Sequence, residues 1–250
     1  NTKDVKDLVK NFDFNKMSSV DKKKKEGLVF ALAPSFGQLN SQSVKTMDDE
    51  LKVIIAGTTR LIAKLKDKSW QNVIGALTQN SLLEPMNESE ISRSDKLIKD
   101  GGTSAFKFDG SPDSTIVKEV QSWFVDFIKD DDVLSATGID IEVLAKIVAS
   151  SGASVDSFEA FFGKHEYHEQ TVIEIGVLRY PDIENPYFKV YRIQLTAWSD
   201  SRRVLMVENN KNGITGEYNC RKYKPRASTI AGLKEETRAQ AIQEAEDLFA

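Results

Sequence analysis

The hydrophobic period of this chain changes near residue 165, and that change constrains the fold more than any single motif does. Before it, apolar residues recur at helical spacing. Between Met47 and Leu65 they fall at Met47, Leu51, Ile54, Ile55, Leu61, Ile62 and Leu65, while Asp48, Lys52, Arg60 and Lys64 are expected to face water. Trp70, Val73, Ile74 and Leu77 form a second stripe. Ile116, Val117, Val120, Phe124, Phe127 and Ile128 form a third, opened by Ser111 and Pro112. Asp140 is placed to cap a fourth helix with Ile139 stapled on Leu144, and Ser154 a short fifth one bearing Phe158, Phe161 and Phe162.

After His168 the alternation is that of strands. Ile173, Ile175 and Val177 alternate with Val172, Glu174 and Gly176. Tyr191, Ile193, Leu195 and Ala197 repeat the pattern, as do Leu205 with Val207, and Ile214 with Tyr218 and Cys220. Turn chemistry separates these runs at Pro181 to Pro186, at Ser199-Asp200-Ser201 and at Asn209 to Gly213. The expectation is α+β: an antiparallel meander of about four strands over 165–224, covered by a helical half (1–164) and a final helix over 228–249. Leu233, Ile242, Ala245 and Phe249 form that helix's buried face. A single integrated domain, 1–250, follows.

Composition narrows the function. The 250 residues carry a net charge of −4, which argues against a protein that coats nucleic acid, so no nucleic-acid partner is expected. One cysteine excludes a disulfide framework and a cysteine-rich zinc site. No apolar run is long enough to span a bilayer. The chain begins at Asn1, which leaves room for a removed signal segment, so a cytoplasmic and a secreted location both stay open. No G-x-S-x-G elbow, P-loop or Rossmann glycine pattern occurs. Lys22 to Lys25, ahead of Leu28 to Leu32, reads as the exposed first turn of a core helix.

Three groups of residues carry the chemical options. His165-Glu166-Tyr167-His168-Glu169 holds both histidines, but at a spacing of three, and on a strand that sends the imidazoles to opposite faces. No metal site is expected there. Cys220 shares the parity of Ile214 and Tyr218, so its thiol points to the apolar face. It is a small core residue, a nucleophile activated by His165 or His168, or the bearer of a fatty acyl thioester lying in an apolar cavity. Between Arg202 and Arg226, basic residues exceed acidic ones by five. Arg202, Arg203, Arg221, Lys222, Lys224 and Arg226, with Tyr218, Tyr223 and Trp198 near, suit an anionic lipid surface.

The helical stretch containing Lys68-Ser69-Trp70-Gln71-Asn72-Val73, the loop at Pro181 to Pro186 and the hairpin from Arg203 to Tyr223 resemble Cyt-type and volvatoxin-like cytolysins. That likeness implies an α/β domain acting on membranes. The lone Cys220 resembles the S-palmitoylated cysteine of Erwinia virulence factor-type proteins, which implies a covalently bound fatty acid as the one cofactor. The expected function is a membrane-associating virulence or toxin-type protein, peripheral on the bilayer, with lipid or an acyl chain as partner. A cysteine-dependent acyl hydrolase or acyltransferase, and a non-enzymatic protein-interaction module, are the alternatives.

Overall fold

The computed structural model describes residues 19–100, 114–150, 164–204 and 207–249. Six strands form one sheet: β1 (Ser19–Leu32), β2 (Leu83–Pro85), β3 (Ile91–Asp100), β4 (Lys164–Tyr180), β5 (Tyr187–Val204) and β6 (Val207–Pro225). The helices are α1 (Gln42–Lys64), α2 (Trp70–Thr78), α3 (Ser114–Ile128), α4 (Asp131–Ala136), α5 (Ile141–Ala149) and α6 (Ala227–Phe249). Strand order is β1-β4-β5-β6, with β2 and β3 pairing successive stretches of the outer side of β6. Only the β1–β4 pair is parallel.

The α+β class is as expected, but the sheet holds more than four strands and draws three of them from the first hundred residues. Lys22 to Lys25 lies in β1, not in a helix. The apolar residues after the lysines explain why: Phe30 packs toward one side of the sheet and Ala31 toward the other. That alternation is a strand's, and the flanking lysines guard an outer edge against further pairing. Two expected turns also prove to be strand interior. Ser199 pairs with Asn212 and Asp200 with Lys211, and the β5–β6 ladder continues to Val204 and Val207. Their polarity serves helix packing instead. Ser199 Oγ meets Ser150 Oγ at 3.1 Å, and Asn212 Nδ2 donates to the Val148 carbonyl at 2.8 Å. The turn after Tyr180 falls where predicted, with Asp182 Oδ1 accepting from the amides of Glu184 and Asn185. The expected fifth helix, with Ser154, Phe158, Phe161 and Phe162, and the Leu205 strand centre lie outside the described residues.

Both faces of the sheet are apolar. On one, α3, α4 and α5 cover Leu178, Tyr180, Tyr191, Ile193, Leu195, Ala197, Ile214, Tyr218 and Cys220. On the other, α1, α2 and α6 cover Ile175, Val177, Phe188, Val190 and Tyr223. The first layer thus reaches further along β5 and β6 than the second. Helix ends are capped locally: Ser41, Ser69, Asp130 and Asp140 accept from backbone amides at the starts of α1, α2, α4 and α5. In α6, Leu233 is buried as expected, whereas Ile242 is 55% exposed.

Two contacts lock the layers. Gly176 faces Tyr191, whose ring occupies the space a Cβ at 176 would need, 2.1 Å from that position. Gly216 likewise admits Phe127 and Trp123 of α3. On the opposite face Asp48, expected in water, is 1% exposed. Its Oδ1 accepts from Arg179 Nε at 2.8 Å, and the Arg179 guanidinium lies 4.8 Å over the Phe30 ring. Lys52 reaches the same carboxylate at 3.4 Å from the surface. Helical periodicity placed Asp48 beside Lys52, but it could not reveal a cation arriving from β4.

Breaking the buried pair while leaving Arg179 in place is expected to cost about 3–5 kcal/mol, whereas removing exposed Lys52 costs at most ~1 kcal/mol. Urea unfolding of Asp48→Ala and Lys52→Ala measures both. A midpoint for Asp48→Ala equal to that of Lys52→Ala contradicts this assignment.

Candidate functional site

Cys220 lies toward the C-terminal end of β6, opposite Tyr191 of β5 on one side and Ile91 of β3 on the other. Strand parity turns its thiol into the layer under α3 and α5, where it is 2% exposed. Phe127 of α3 meets the Tyr218 ring edge-on at 6.4 Å and stacks on Trp123 at 5.1 Å. Arg93 of β3 covers the Tyr218 ring, 5.1 Å from its centre, and donates to the Ile128 carbonyl at 3.0 Å. Burial pushes the Cys220 thiol above its ordinary value, against a weaker opposing pull from the Tyr218 hydroxyl, Lys189 and Lys222. The group is therefore a neutral thiol at physiological pH and a poor nucleophile as it stands. The neighbouring Tyr218 hydroxyl is shielded from solvent and, among the described residues, has the weakly interacting Cys220 thiol beside it but no ordinary hydrogen-bond partner.

The histidines are not brought to the thiol. Cys220 is level with Gly176 through Tyr191, which puts His168 eight and His165 eleven residues away along β4. At ~3.3 Å per residue those offsets are roughly 26 and 36 Å. The cysteine–histidine dyad is thereby excluded on geometry. His165 Nε2 instead lies 2.7 Å from Asp200 Oδ1. His168, on the other face, lines a cavity of about 400 Å³ with Lys146 and Ser150. Among the described residues no group of three or more histidine, cysteine or acidic side chains could hold a metal ion.

The basic residues do not form one surface. Arg202 sits at the hairpin end of β5, paired with Asp200 at 3.4 Å. Arg221 to Arg226 lie at the far end of β6, about 40 Å away for the twelve strand residues between Asn209 and Arg221. There they are engaged separately. Arg221 covers Tyr223, Lys222 covers Tyr187, Lys224 pairs with Glu84 at 3.5 Å, and Arg226 donates to the Ser81 carbonyl at 2.8 Å. The Arg203 side chain lies outside the described residues. The +5 excess read from the sequence is thus spread along a strand and not focused into a patch.

The expected apolar cavity beside the thiol is not among the four cavities described for these residues. Among the described residues, cavities of about 450, 390, 240 and 400 Å³ are lined by other side chains, and Cys220 borders none of these four.

Two buried carboxylates in the same layer escaped the sequence. Glu174 accepts from Thr137 Oγ1 at 2.6 Å, from the Gly138 amide at 2.7 Å and from Tyr191 Oη at 3.0 Å. Asp132 accepts from Ser35 Oγ at 2.6 Å, its amide at 2.7 Å and Tyr180 Oη at 2.5 Å. Burial works against the charged form of Asp132, but these bonds and nearby Lys189 together hold its carboxyl below the ordinary value. Glycine at 176 was the one usable signal, because a glycine inside a strand marks a close approach such as that of Tyr191.

No protein-family model matches the chain, and no curated protein matches its sequence. Among solved structures, one described as that of the Evf virulence factor superposes at a TM-score of 0.27 and 10% identity, covering 95% of this chain and 88% of that one. So loose a superposition leaves the fold to stand on its own residues. Nothing in these comparisons supports the likeness to Cyt-type or volvatoxin-like cytolysins. No helix among the described residues is long and apolar enough to cross a membrane.

All six tyrosines are shifted upward, chiefly by burial; Tyr167, which also donates to Glu169, is pushed up to about 12. A raised phenol pKa contributes stability that is complete below the unfolded value, ~10, and is lost as pH climbs through the folded one. At pH 10 the native protein should therefore show almost no tyrosinate absorbance, while the urea-unfolded chain shows about half. Half-ionisation of the native protein at pH 10 contradicts the burial described.

Proposed function

We propose that the protein is S-acylated on Cys220 and associates with lipid through that chain, held beneath α3 and α5. The observation that supports this reading is the Tyr218 hydroxyl, one of four buried polar side-chain atoms without an ordinary hydrogen-bond partner among the described residues, which has the chain's one thiol, a weak acceptor, beside it. An unsatisfied buried hydroxyl costs on the order of 1–3 kcal/mol, and native cores rarely keep one without a role. A thioester carbonyl on Sγ supplies a stronger acceptor than the sulfur itself. It also replaces a polar S–H with an uncharged, hydrocarbon-bearing group that suits the apolar surroundings of Phe127, Tyr191 and Ile193.

In forming the adduct, Sγ bonds to the carbonyl carbon of an acyl thioester donor. The donor's carbon–sulfur bond breaks, and the Cys220 proton leaves with the departing thiol. A thiol that is buried and uncharged does not attack unaided. Acylation therefore takes place before the α3 layer closes on the sheet, or while it is open. The acyl chain takes its space by parting α3 from β6, where Gly216 sets the closest approach. Contact with a bilayer follows the same opening. This reading assigns the lipid partner to the thiol and not to the divided basic residues.

Intact-mass measurement of protein from its native source tests the reading. The expected result is a mass above 28.0 kDa by one fatty acyl group, removed by neutral hydroxylamine and absent in Cys220→Ser. Flotation with phosphatidylcholine vesicles should follow the acylated form alone. In addition, Tyr218→Phe should lower the stability of the acylated protein by about 1 kcal/mol while leaving the unacylated protein unchanged or more stable. An unmodified mass together with a freely titrating single thiol after unfolding overturns the proposal.

A further inference from the structure

On the face of the sheet covered by α1, α2 and α6, the helices of the described residues stop short of the β5–β6 hairpin. Two adjoining cavities, of about 450 and 390 Å³, occupy the bare stretch and share Ser94 and Glu217. Their size is that of small-molecule sites. The floor is made by β5, β6 and β3, and the start of α2, at Ser69 and Trp70, closes one end. From Asn219 to Thr215 the floor runs roughly 13 Å along β6.

The floor is polar and pinned from below. Arg192 is 5% exposed and donates from Nε to the Lys68 carbonyl at 2.5 Å, from Nη2 to Gln194 Oε1 at 2.5 Å and from Nη1 to Glu217 Oε2 at 3.3 Å. With its oxygen taken, Gln194 presents its amide nitrogen to the groove as a fixed donor. Glu217 keeps its second oxygen as an acceptor. Thr196 shares its hydroxyl with Thr171 at 3.0 Å, and among the described residues the hydroxyls of Thr215 and Ser94 have no hydrogen-bond partner. Three carboxylates and three cations line the two cavities, so the groove carries no net charge.

We infer that this groove binds a neutral, hydroxyl-rich ligand, a short oligosaccharide, along the strand direction. A row of alternating donors and acceptors matches vicinal hydroxyls, each of which both donates and accepts. Cancelling charge disfavours a phosphate or sulfate group. The preset Arg192–Gln194–Glu217 arrangement spares the ligand the cost of ordering these side chains. The site is independent of Cys220, which faces the other layer.

The test is backbone amide shift mapping of the full chain with maltotriose, cellotriose and chitotriose, and with a heparin-derived tetrasaccharide and inorganic phosphate as anionic comparators. At least one neutral trisaccharide should shift the amides of Gln194, Thr215 and Glu217. Gln194→Ala with Thr215→Val should weaken that binding about tenfold at unchanged melting temperature, and Ser94→Ala on the edge strand supplies a second variant. Silence from all three neutral sugars, shifts confined to other parts of the chain, or a response to the anionic probes alone overturns the inference.

Discussion

The structure depends on a mismatch of lengths. β4, β5 and β6 run for 17, 18 and 19 residues, or roughly 60 Å each, whereas the longest helices, at 23 residues, extend only ~35 Å. Helices laid on such a sheet cannot cover all of it. At the Pro181–Pro186 end both faces are covered, and there the apolar layers are deepest. At the hairpin end no helix of the described residues covers one face, and there the sequence turns to threonine, glutamine and serine.

Burying both faces raises the demands on every polar group that enters. The chain meets most of them. Asp48 is matched by Arg179, Glu174 by Tyr191 and Thr137, and Asp132 by Ser35 and Tyr180. Against that background four buried side-chain atoms among the described residues lack an ordinary partner, Arg93 Nε, Arg221 Nε, Tyr223 Oη and Tyr218 Oη, and the last of these stands beside Cys220. The thioester reading rests on that contrast. It does not rest on the cysteine's isolation in the sequence.

Much of the architecture was legible in periodicity. α1, α2, α3 and α5 fall where three- and four-residue steps put them, Asp140 caps α5, and the strand parity of Cys220 and of the two histidines holds. Three things were not legible. The lysines of β1 masked a strand, because charge at an edge strand and charge on a helix turn look alike in one dimension. Ser199-Asp200-Ser201 and Asn209 to Gly213 carry turn chemistry, yet Ser199 and Asn212 spend their polarity on α5. The fate of Asp48 and Glu174 depended on partners far away in the chain, which no local pattern encodes. The candidate site fared similarly: the thiol's burial was readable, its separation from His165 and His168 became clear only through strand register, and the orphaned phenol needed the packed layer to be noticed.

A crystal structure of the protein isolated from its natural source, with the electron density around Cys220 left unbiased, tests the central claim most directly. The account predicts continuous density extending from Sγ between α3 and β6, with a carbonyl oxygen within hydrogen-bond distance of Tyr218 Oη. Density that ends at a bare sulfur, packed against the side chains of α3 with the phenol still unpaired, would contradict it.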